Sequence, residues 1–358
     1  MEEEGQTPEQ QEPLGPPSGR TPTIADVARV AGVSIATASR TLNRTRPVAP
    51  HLQAQVQAAA RDLGYAPNPH ARALARAQDT TIGVIVHDVS DPYFSEIVRG
   101  ILQATSDAGQ MVLICNTYRD RDRELAYMAA FRARRSGALI LAGSGMEDRE
   151  FGALMTRQIL DFEAAGGRTA LIGRHHAPGD VVMADNLGGA RALAQHLVEL
   201  GHRTIGVIAG PSRLTTTHDR LAGFRVGLAD AGITLPDEHT VIGGDFTRDA
   251  GAKGATALLE RVPGMTAIFA LNDVMAVGAL SVLRSRHLRV PEDISLCGFD
   301  DIPLAGDLWP PLTTVHVPMV EMGAQALTLA LLPKGAEIRA VHLPTHVIVR
   351  ESTAAPKA

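Results

Sequence analysis

Hydrophobic residues recur at helical spacing in three short segments near the start of the chain and form short unbroken runs after residue 79. Apolar or small residues three and four positions apart line one face of a helix. They are Ile24, Val27, Ala28 and Ala31 in the first segment, Ala38, Thr41 and Leu42 in the second, and Leu52, Val56, Ala59, Ala60 and Leu63 in the third. The pattern predicts three short helices, and Pro50 suits the first position of the third.

The first two predicted helices are joined by only four residues, Ala31-Gly32-Val33-Ser34. Thr23 and Asp26 have the spacing of a capping box at the start of the first helix, and Ser34 can cap the second. Gly32 supplies the backbone freedom that so tight a turn requires. The arrangement is typical of a helix-turn-helix, whose second helix enters the major groove of DNA. An ordinary three-helix bundle without a DNA role is the alternative.

Residues 67–78, "PNPHARALARAQ", connect this module to the rest of the chain. Pro67 and Pro69 make the entry stiff, and Ala71, Leu74 and Ala75 follow at the spacing of a short helix. Such a helix is marginal alone and forms fully only against a partner. A flexible linker is the alternative.

After residue 79 apolar strand patterns alternate with helical ones, which predicts parallel, doubly wound sheets. The strings "TIGVIV" at 81 and "TIGVIA" at 204 nearly repeat each other, which indicates two similar halves. Ligands of such folds bind beyond the carboxyl ends of the strands, so we expect a cleft between the halves.

Polar and aromatic side chains follow these strands. They are Asp88, Asp91 and Phe94 in the first half, and Thr216, Arg220, Phe246, Asn272, Asp273, Asp300 and Asp301 in the second. Carboxylates, an amide and a guanidinium around aromatic rings suit a hydroxyl-rich ligand such as a sugar or nucleoside. The alternatives are structural: each acid can cap a helix, Asp273 above all, and Arg220 can pair with an acid. Trp309, the single Trp, either stacks on the ligand or packs where the chain crosses between the halves.

Charge is distributed unevenly over the chain, whose net charge is −5. Residues 23–78 carry seven Arg and two Asp, whereas residues 1–22 carry five Glu and one Arg. A basic module on an acidic body favours a polyanionic partner for the module alone. Residues 1–22 are also rich in Pro and Gly, and we expect them to be disordered.

The remaining composition favours the cytoplasm. No apolar run reaches the roughly 20 residues of a membrane span, and the N-terminal segment does not have the pattern of a signal peptide. Cys115 and Cys297 lie in apolar strand-like runs and are expected to be buried rather than paired or metal-bound.

The stretch "TIADVARVAGVSIATASRTLN" followed by "LGYAPNPHARALA" resembles the DNA-binding and hinge segment of the LacI/GalR family of bacterial repressors. The resemblance implies that Ile35 and Ala36 select bases, that Arg40 donates to a guanine, and that Leu74 wedges into a central base step of the minor groove. The other residues that it places at DNA are Thr23, Thr37, Ser39 and Asn43. Ala49 departs from the Ser that often caps the third helix in the family.

The resemblance continues through the body in "DPYFSEIVRG", "HDRLAGF", "GGDF", "ALNDVMAVGAL", "DISLCGFDD" and "PLTTV". It implies an α/β fold: an all-α helix-turn-helix module followed by a two-lobed, doubly wound core like that of periplasmic binding proteins. The effector contacts that it implies are Asp91, Phe94, Thr216, Arg220, Phe246, Asn272 and Asp300.

The expected organisation follows from these patterns. We expect a tail at 1–22, a DNA-binding domain at 23–68, a hinge at 69–79, a core at 80–350 and a second tail at 351–358. Within the core, the first lobe takes 80–183 and 313–335, and the second takes 184–312 and 336–350. The last segment carries no heptads, so a homodimer on an operator in double-stranded DNA is the expected assembly.

The sequence disfavours two other classes of protein. An enzyme is disfavoured because the chain has no phosphate-binding loop, no dinucleotide-binding glycine pattern and no nucleophile elbow, and we expect no catalytic residue, cofactor or metal. His175-His176 has no third ligand nearby in sequence. A periplasmic sugar-binding protein would share the body but has no use for residues 23–78. Repression is favoured over activation only because most members of the family are repressors. Leu214 lies where family members that bind purines or phosphates carry other polar groups, and it counts against a charged effector.

Overall fold

A computed structural model describes residues 22–43, 46–65, 79–106, 110–335 and 337–357. The chain divides into a unit that ends at Asp79 and a larger unit that begins at Thr80. Residues 1–21 of the expected tail and nearly all of the expected hinge, including Leu74, lie outside the described residues.

The first unit contains the three helices that the pattern predicts: α1 (Ile24–Val30), α2 (Ile35–Asn43) and α3 (Pro50–Asp62). Their small core is formed by Val27, Ala28, Ala31, Ala38, Val56, Ala59 and Ala60. These residues come from all three helices, so the unit buries one face of each.

The ends of these helices are fixed by local hydrogen bonds. The side chain of Thr23 accepts from the backbone of Asp26, whose carboxylate accepts from the Thr23 backbone over 2.9 Å, which completes the capping box. Gly32 has a φ of 64° between α1 and α2. Ser34 Oγ accepts from the Thr37 backbone over 3.1 Å. No side chain caps α3, which begins at Pro50.

The second unit has two lobes, each built on a parallel sheet. The first-lobe strands are β1 (Asp79–Val86), β2 (Val112–Asn116), β3 (Ser136–Ala142), β4 (Arg168–Ile172), β5 (Asp180–Ala184) and β11 (Ala340–Leu343). Their order in the sheet is β11-β5-β4-β3-β1-β2. The helices that pack on this sheet or on one another are α4 (Pro92–Thr105), α5 (Arg121–Ala133), α6 (Arg149–Ala164) and α11 (Met319–Leu331).

The second lobe repeats this design on a smaller scale. Its strands β6 (Ile205–Ala209), β7 (Thr240–Ile242), β8 (Ala267–Ala270) and β9 (Ser295–Cys297) are parallel in the order β7-β6-β8-β9. Its helices pack in two pairs: α7 (Asn186–Glu199) with α8 (Thr215–Ala229), and α9 (Arg248–Arg261) with α10 (Asp273–Ser285). The predicted α/β class, with a helical module and a two-lobed core, is therefore confirmed.

The lobe boundaries differ from the expected ones near the end of the chain. Strand β10 (Thr314–His316) pairs antiparallel with β12 (His346–Ile348), and Thr313 bridges to Cys297 at the edge of the second-lobe sheet. Conversely, β11 hydrogen bonds in parallel with β5 of the first lobe. The chain therefore returns to the first lobe at α11, and β11 also belongs to that lobe. This differs from the expected assignment of residues 336–350 to the second lobe.

Residues 351–357 also differ from the expected tail. Ser352 is buried, and its hydroxyl donates to Leu296 O over 2.6 Å and accepts from the Thr313 backbone over 2.7 Å. His202 approaches Ala354 O at 3.0 Å. These bonds attach the segment to the second lobe.

Candidate functional site

The carboxyl ends of strands from both lobes surround a small cavity. All seven residues predicted to contact an effector line it: Asp91, Phe94, Thr216, Arg220, Phe246, Asn272 and Asp300. Tyr93, Arg119 and Ser144 complete the lining.

Arg220 is the most highly bonded side chain of the cavity. It projects from the second turn of α8 and donates from Nη2 to Asp300 Oδ1 over 2.6 Å, from Nη1 to Leu271 O over 2.6 Å and from Nε to Asn186 Oδ1 over 2.8 Å. Its guanidinium lies 3.9 Å from the ring centroid of Phe299. These bonds fix its orientation before any ligand arrives.

Asp300 follows β9 in an unusual backbone conformation, with a φ of 111°. Its NH donates to Val315 O over 2.9 Å, so strand β10 holds the strained residue in place. Burial raises the pKa of Asp300, and the Arg220 guanidinium opposes that rise. The carboxylate thus depends on Arg220 for its charge balance.

The cap of α10 is Asn272 and not its neighbour Asp273. Asn272 is the N-cap of α10, and its side chain accepts from the Met275 backbone over 2.9 Å. Asp273 was expected to be a cap, but it is fully buried and accepts from Thr314 Oγ1 over 2.6 Å and from the Ile302 backbone over 2.9 Å. Burial raises its pKa well above the ordinary value. Asp273 therefore holds β10 and the segment at Ile302 against the start of α10.

The first lobe contributes a carboxyl group and an aromatic pair at the start of α4. Asp91 caps the helix by accepting from the Tyr93 backbone over 3.0 Å. Burial raises the pKa of Asp91 to about 6, and the nearby Asp300 adds to that rise. The rings of Tyr93 and Phe94 lie edge to face, with centroids 5.1 Å apart. Burial also raises the pKa of Tyr93.

Phe246 covers the cavity from the second lobe. A Cβ at Gly210, after β6, would lie 2.6 Å from Phe246 Cζ, so only glycine allows the ring this close. Arg119 reaches Phe246 from the first lobe, with its guanidinium 5.6 Å from the ring centroid. Burial lowers the pKa of Arg119, and Asp245 opposes that change.

Thr216 and Ser144 join the lobes on another side of the cavity. Ser144 Oγ donates to Thr216 Oγ1 over 2.6 Å. Thr215 N donates to Gly145 O over 3.0 Å alongside. Leu214 is buried and does not line the cavity, so it gives no information about the charge of the effector.

Three lining residues were missed by sequence reasoning. Tyr93 directly precedes Phe94 in "DPYFSEIVRG", so the same strand end could have identified it. Ser144 lies in "AGSGM" after β3, the same kind of strand end that identified the other residues, so that signal was available. Arg119 follows β2 and lies in one of many charged stretches, and its partner is distant in sequence.

Other candidates lie away from the cavity. Trp309 is 78% exposed, so it neither stacks in the cavity nor packs where the chain crosses between the lobes.

The candidate metal ligands have other partners or are free. His176 Nε2 is 2.8 Å from Glu147 Oε2, and His175 Nε2 is 3.2 Å from Ile172 O. Cys297 is buried as expected, whereas Cys115 is half-buried, and both are free. Among the described residues no group of three or more His, Cys, Asp and Glu is arranged to hold a metal ion.

The helix-turn-helix unit presents a second candidate surface on α2. Ile35 is 56% exposed, and Ala36 and Arg40 are also exposed, whereas Ala38 and Thr41 face the core. Thr37 and Ser39 are half-buried beside them, and Thr23 lies in the capping box. The side chain of Asn43 lies outside the described residues. An exposed apolar residue beside an exposed arginine suits base contacts in the major groove.

Two family models match separate parts of the chain. A family model described as bacterial regulatory proteins, lacI family, matches residues 23–68, and one described as a periplasmic binding protein-like domain matches residues 194–353. The transcriptional regulator DegA of Bacillus subtilis is 34% identical over 334 residues, 92% of this chain and 98% of that protein. The transcriptional repressor CytR of Escherichia coli is 37% identical over 312 residues, 86% of this chain and 89% of that protein.

Two solved structures extend the comparison. The lac repressor dimer bound to operator and the anti-inducer ONPF is 28% identical, with a TM-score of 0.81 over 94% of this chain and all of that one. A LacI family regulator from Enterococcus faecium with bound ribose is also 28% identical, with a TM-score of 0.68 over 77% of this chain and all of that one. No helix among the described residues is both long enough and apolar enough to cross a membrane.

Proposed function

Because the chain belongs to the LacI family of bacterial regulatory proteins, we propose that a small hydroxyl-rich molecule, a sugar or a nucleoside, binds in the interlobe cavity and controls its action on DNA. The chain is a DNA-binding transcriptional regulator rather than an enzyme, and its similarity to named repressors favours repression. We propose no cofactor, and the effector is the small molecule that we assign.

The convergence of polar and aromatic side chains on one cavity carries the proposal. Each hydroxyl of a sugar can both donate and accept, and the cavity offers the carboxylates of Asp91 and Asp300, the guanidinium of Arg220 and the hydroxyl of Thr216. The ring of Phe246 suits the apolar face of a sugar. The Enterococcus regulator solved with bound ribose supports the same ligand class.

Control requires that the effector favour one arrangement of the two lobes. Ser144 of the first lobe bonds to Thr216 of the second beside the cavity, so the lining itself includes contacts between the lobes. A ligand changes DNA affinity only if it binds two arrangements unequally, and DNA must then change ligand affinity by the same factor.

On DNA, a homodimer would place two copies of α2 in successive major grooves of a pseudo-palindromic operator. The lac repressor, to which this chain is similar, is a dimer in its operator complex. Phosphate contacts by Thr37, Ser39 and Asn43 would set the register, with Thr23 also at the DNA, and Ile35, Ala36 and Arg40 would read bases. Such a protein acts in the cytoplasm, where bacterial DNA lies.

A thermal-shift screen of the full chain tests the effector. The panel contains neutral pentoses and hexoses, disaccharides, nucleosides and sugar phosphates. A ligand at one hundred times its dissociation constant adds about 2.7 kcal/mol to the free energy of unfolding, which raises the midpoint measurably. A compound that raises the midpoint should also change retention of a labelled operator in a gel-shift assay.

Two adjacent threonines provide a matched control. Thr216→Val removes a hydroxyl that lines the cavity, whereas Thr217→Val removes one that is buried outside it. We expect the first substitution alone to weaken the response. A folded wild type that responds to no sugar or nucleoside would contradict the proposed effector and leave the DNA-binding function unaffected.

A further inference from the structure

Arg119 reaches from the first lobe to the second inside the cavity. Its Nε lies 2.8 Å from Asp245 Oδ1 in an ion pair, and only 11% of its side chain is exposed. The flat guanidinium faces the ring of Phe246. Among the described residues, Nη1 of Arg119 is buried and has no hydrogen-bond partner.

The backbone that carries Arg119 is held in an unfavourable conformation. Tyr118 and Arg119 have φ values of 52° and 60°, in the left-handed region that residues with a Cβ rarely adopt. The turn is held by bonds from Tyr118 N to His87 O over 2.7 Å and from Arg119 N to Thr117 Oγ1 over 3.3 Å. Enforced strain of this kind concentrates at binding sites.

A buried guanidinium NH without an acceptor is unfavourable, so Nη1 of this lining residue is available to an acceptor on a molecule in the cavity. The surrounding charges indicate which kind. Arg119 is paired with Asp245, Arg220 is paired with Asp300, and Asp91 is a further carboxyl group. Both arginines that line the cavity are therefore already paired, and the nearby Arg213 is exposed and does not line it. A phosphate or carboxylate would lie beside these acids without an unpaired cation in the lining. An uncharged oxygen meets Nη1 without that repulsion.

We propose that Arg119 is an effector-binding residue that donates from Nη1 to an uncharged hydroxyl, ring or carbonyl oxygen while Nε holds Asp245. The inference rests on the proposed sugar effector and adds its selectivity: a neutral sugar rather than a sugar phosphate. Because Arg119 belongs to the first lobe and Asp245 to the second, one side chain ties the effector to both lobes. Binding therefore favours the arrangement in which the two residues are paired.

Isothermal titration calorimetry on the full chain tests this. The neutral probes are D-ribose, D-xylose, D-glucose and D-galactose, and the charged probes are D-ribose 5-phosphate and D-glucose 6-phosphate. We expect wild type to bind a neutral sugar more tightly than the phosphate esters. Arg119→Ala should weaken that sugar by about ten-fold or more. Arg119→Lys should also weaken it, since one ammonium group cannot replace the fork of Nε and Nη1.

Arg121→Ala is the matched control. Arg121 pairs with Asp148 over 2.7 Å and does not line the cavity, so its loss should leave the affinity unchanged. Thermal midpoints without ligand show whether each variant is folded, and Arg119→Lys decides the matter where Arg119→Ala does not fold.

The outcomes separate the two proposals. Equal affinity of wild type and the folded Arg119 variants for the neutral sugar would overturn the role of Arg119 and leave the sugar effector standing. Tighter binding of a phosphate ester by wild type would overturn the neutral selectivity. Binding of no probe by wild type would overturn the sugar effector, and the inference about Arg119 with it.

Discussion

Arg220 and Asp300 form an ion pair with 2.6 Å between Nη2 and Oδ1, and their side chains are only 3% and 4% exposed. Removing one partner of such a pair leaves an uncompensated buried charge, which typically costs 3–5 kcal/mol. We therefore expect Arg220→Ala to lower the free energy of unfolding by about that amount and to abolish the effector response. Chemical denaturation of the full chain, with and without a responding sugar, measures both effects.

The double variant Arg220→Met with Asp300→Asn separates stability from binding. It removes both charges while keeping similar volumes, so much of the lost stability should return although the effector response does not. If the double variant is as unstable as Arg220→Ala, the cost lies in the bonds of Arg220 to Asn186 and Leu271 rather than in the ion pair.

The composition of the cavity was largely predictable because it follows from topology. In parallel sheets the strand ends of each lobe meet at one edge, so polar residues directly after apolar runs converge whatever their distance in sequence. Asp91, Thr216, Asn272 and Asp300 all follow this rule. The helical module was predictable for a similar reason, since its spacing and capping residues act within a few positions.

What the sequence did not predict depends on distant partners. The position of Arg119 is set by a left-handed turn and by Asp245, which lies in the other lobe. Asp273 has the spacing of a cap, but its acceptors are used by Ile302 and Thr314. Strand β11 joins the first lobe through a pairing with β5 that local patterns do not encode.

Asp91 makes the stability of the core depend on pH. Burial raises its pKa from 3.8 to about 6, so the folded state binds the proton more tightly than the unfolded state. The stabilisation from this group is present below pH 4 and is lost as the pH rises through 6. Asp91→Asn, which retains a capping side chain, should therefore be more stable than wild type at pH 7, by about 1–3 kcal/mol.

Denaturation of wild type and Asp91→Asn between pH 4 and 8 measures this difference, which should shrink at the acid end. Asp120→Asn is the control, since Asp120 also caps a helix but has a carboxylate that is about half exposed. A difference between Asp91→Asn and wild type that does not vary with pH would mean that ionisation of Asp91 has no cost.

Leu74 lies outside the described residues, and its role as a minor-groove wedge stays a prediction. A wedge contributes only where the DNA can be kinked at its site. Leu74→Ala should therefore weaken binding to the operator by about ten-fold or more and leave binding to random DNA nearly unchanged. Leu160→Ala, at an exposed leucine of α6, should affect neither. A uniform loss on both DNAs would indicate a general role in affinity for Leu74.

Arg40 is exposed in the last turn of α2, where it is available to a guanine. A bidentate bond to O6 and N7 specifies one base pair, so Arg40→Ala should cost about 1–3 kcal/mol on the operator and relax the preference at that position. Binding measurements on a set of single-substitution operators at fixed salt concentration locate the relaxed position. Arg29→Ala removes the same charge from α1, where Arg29 pairs with Asp26, and should leave sequence preference intact. If Arg40→Ala weakens every operator equally, Arg40 contacts phosphate and the bases are read by Ile35 and Ala36 instead.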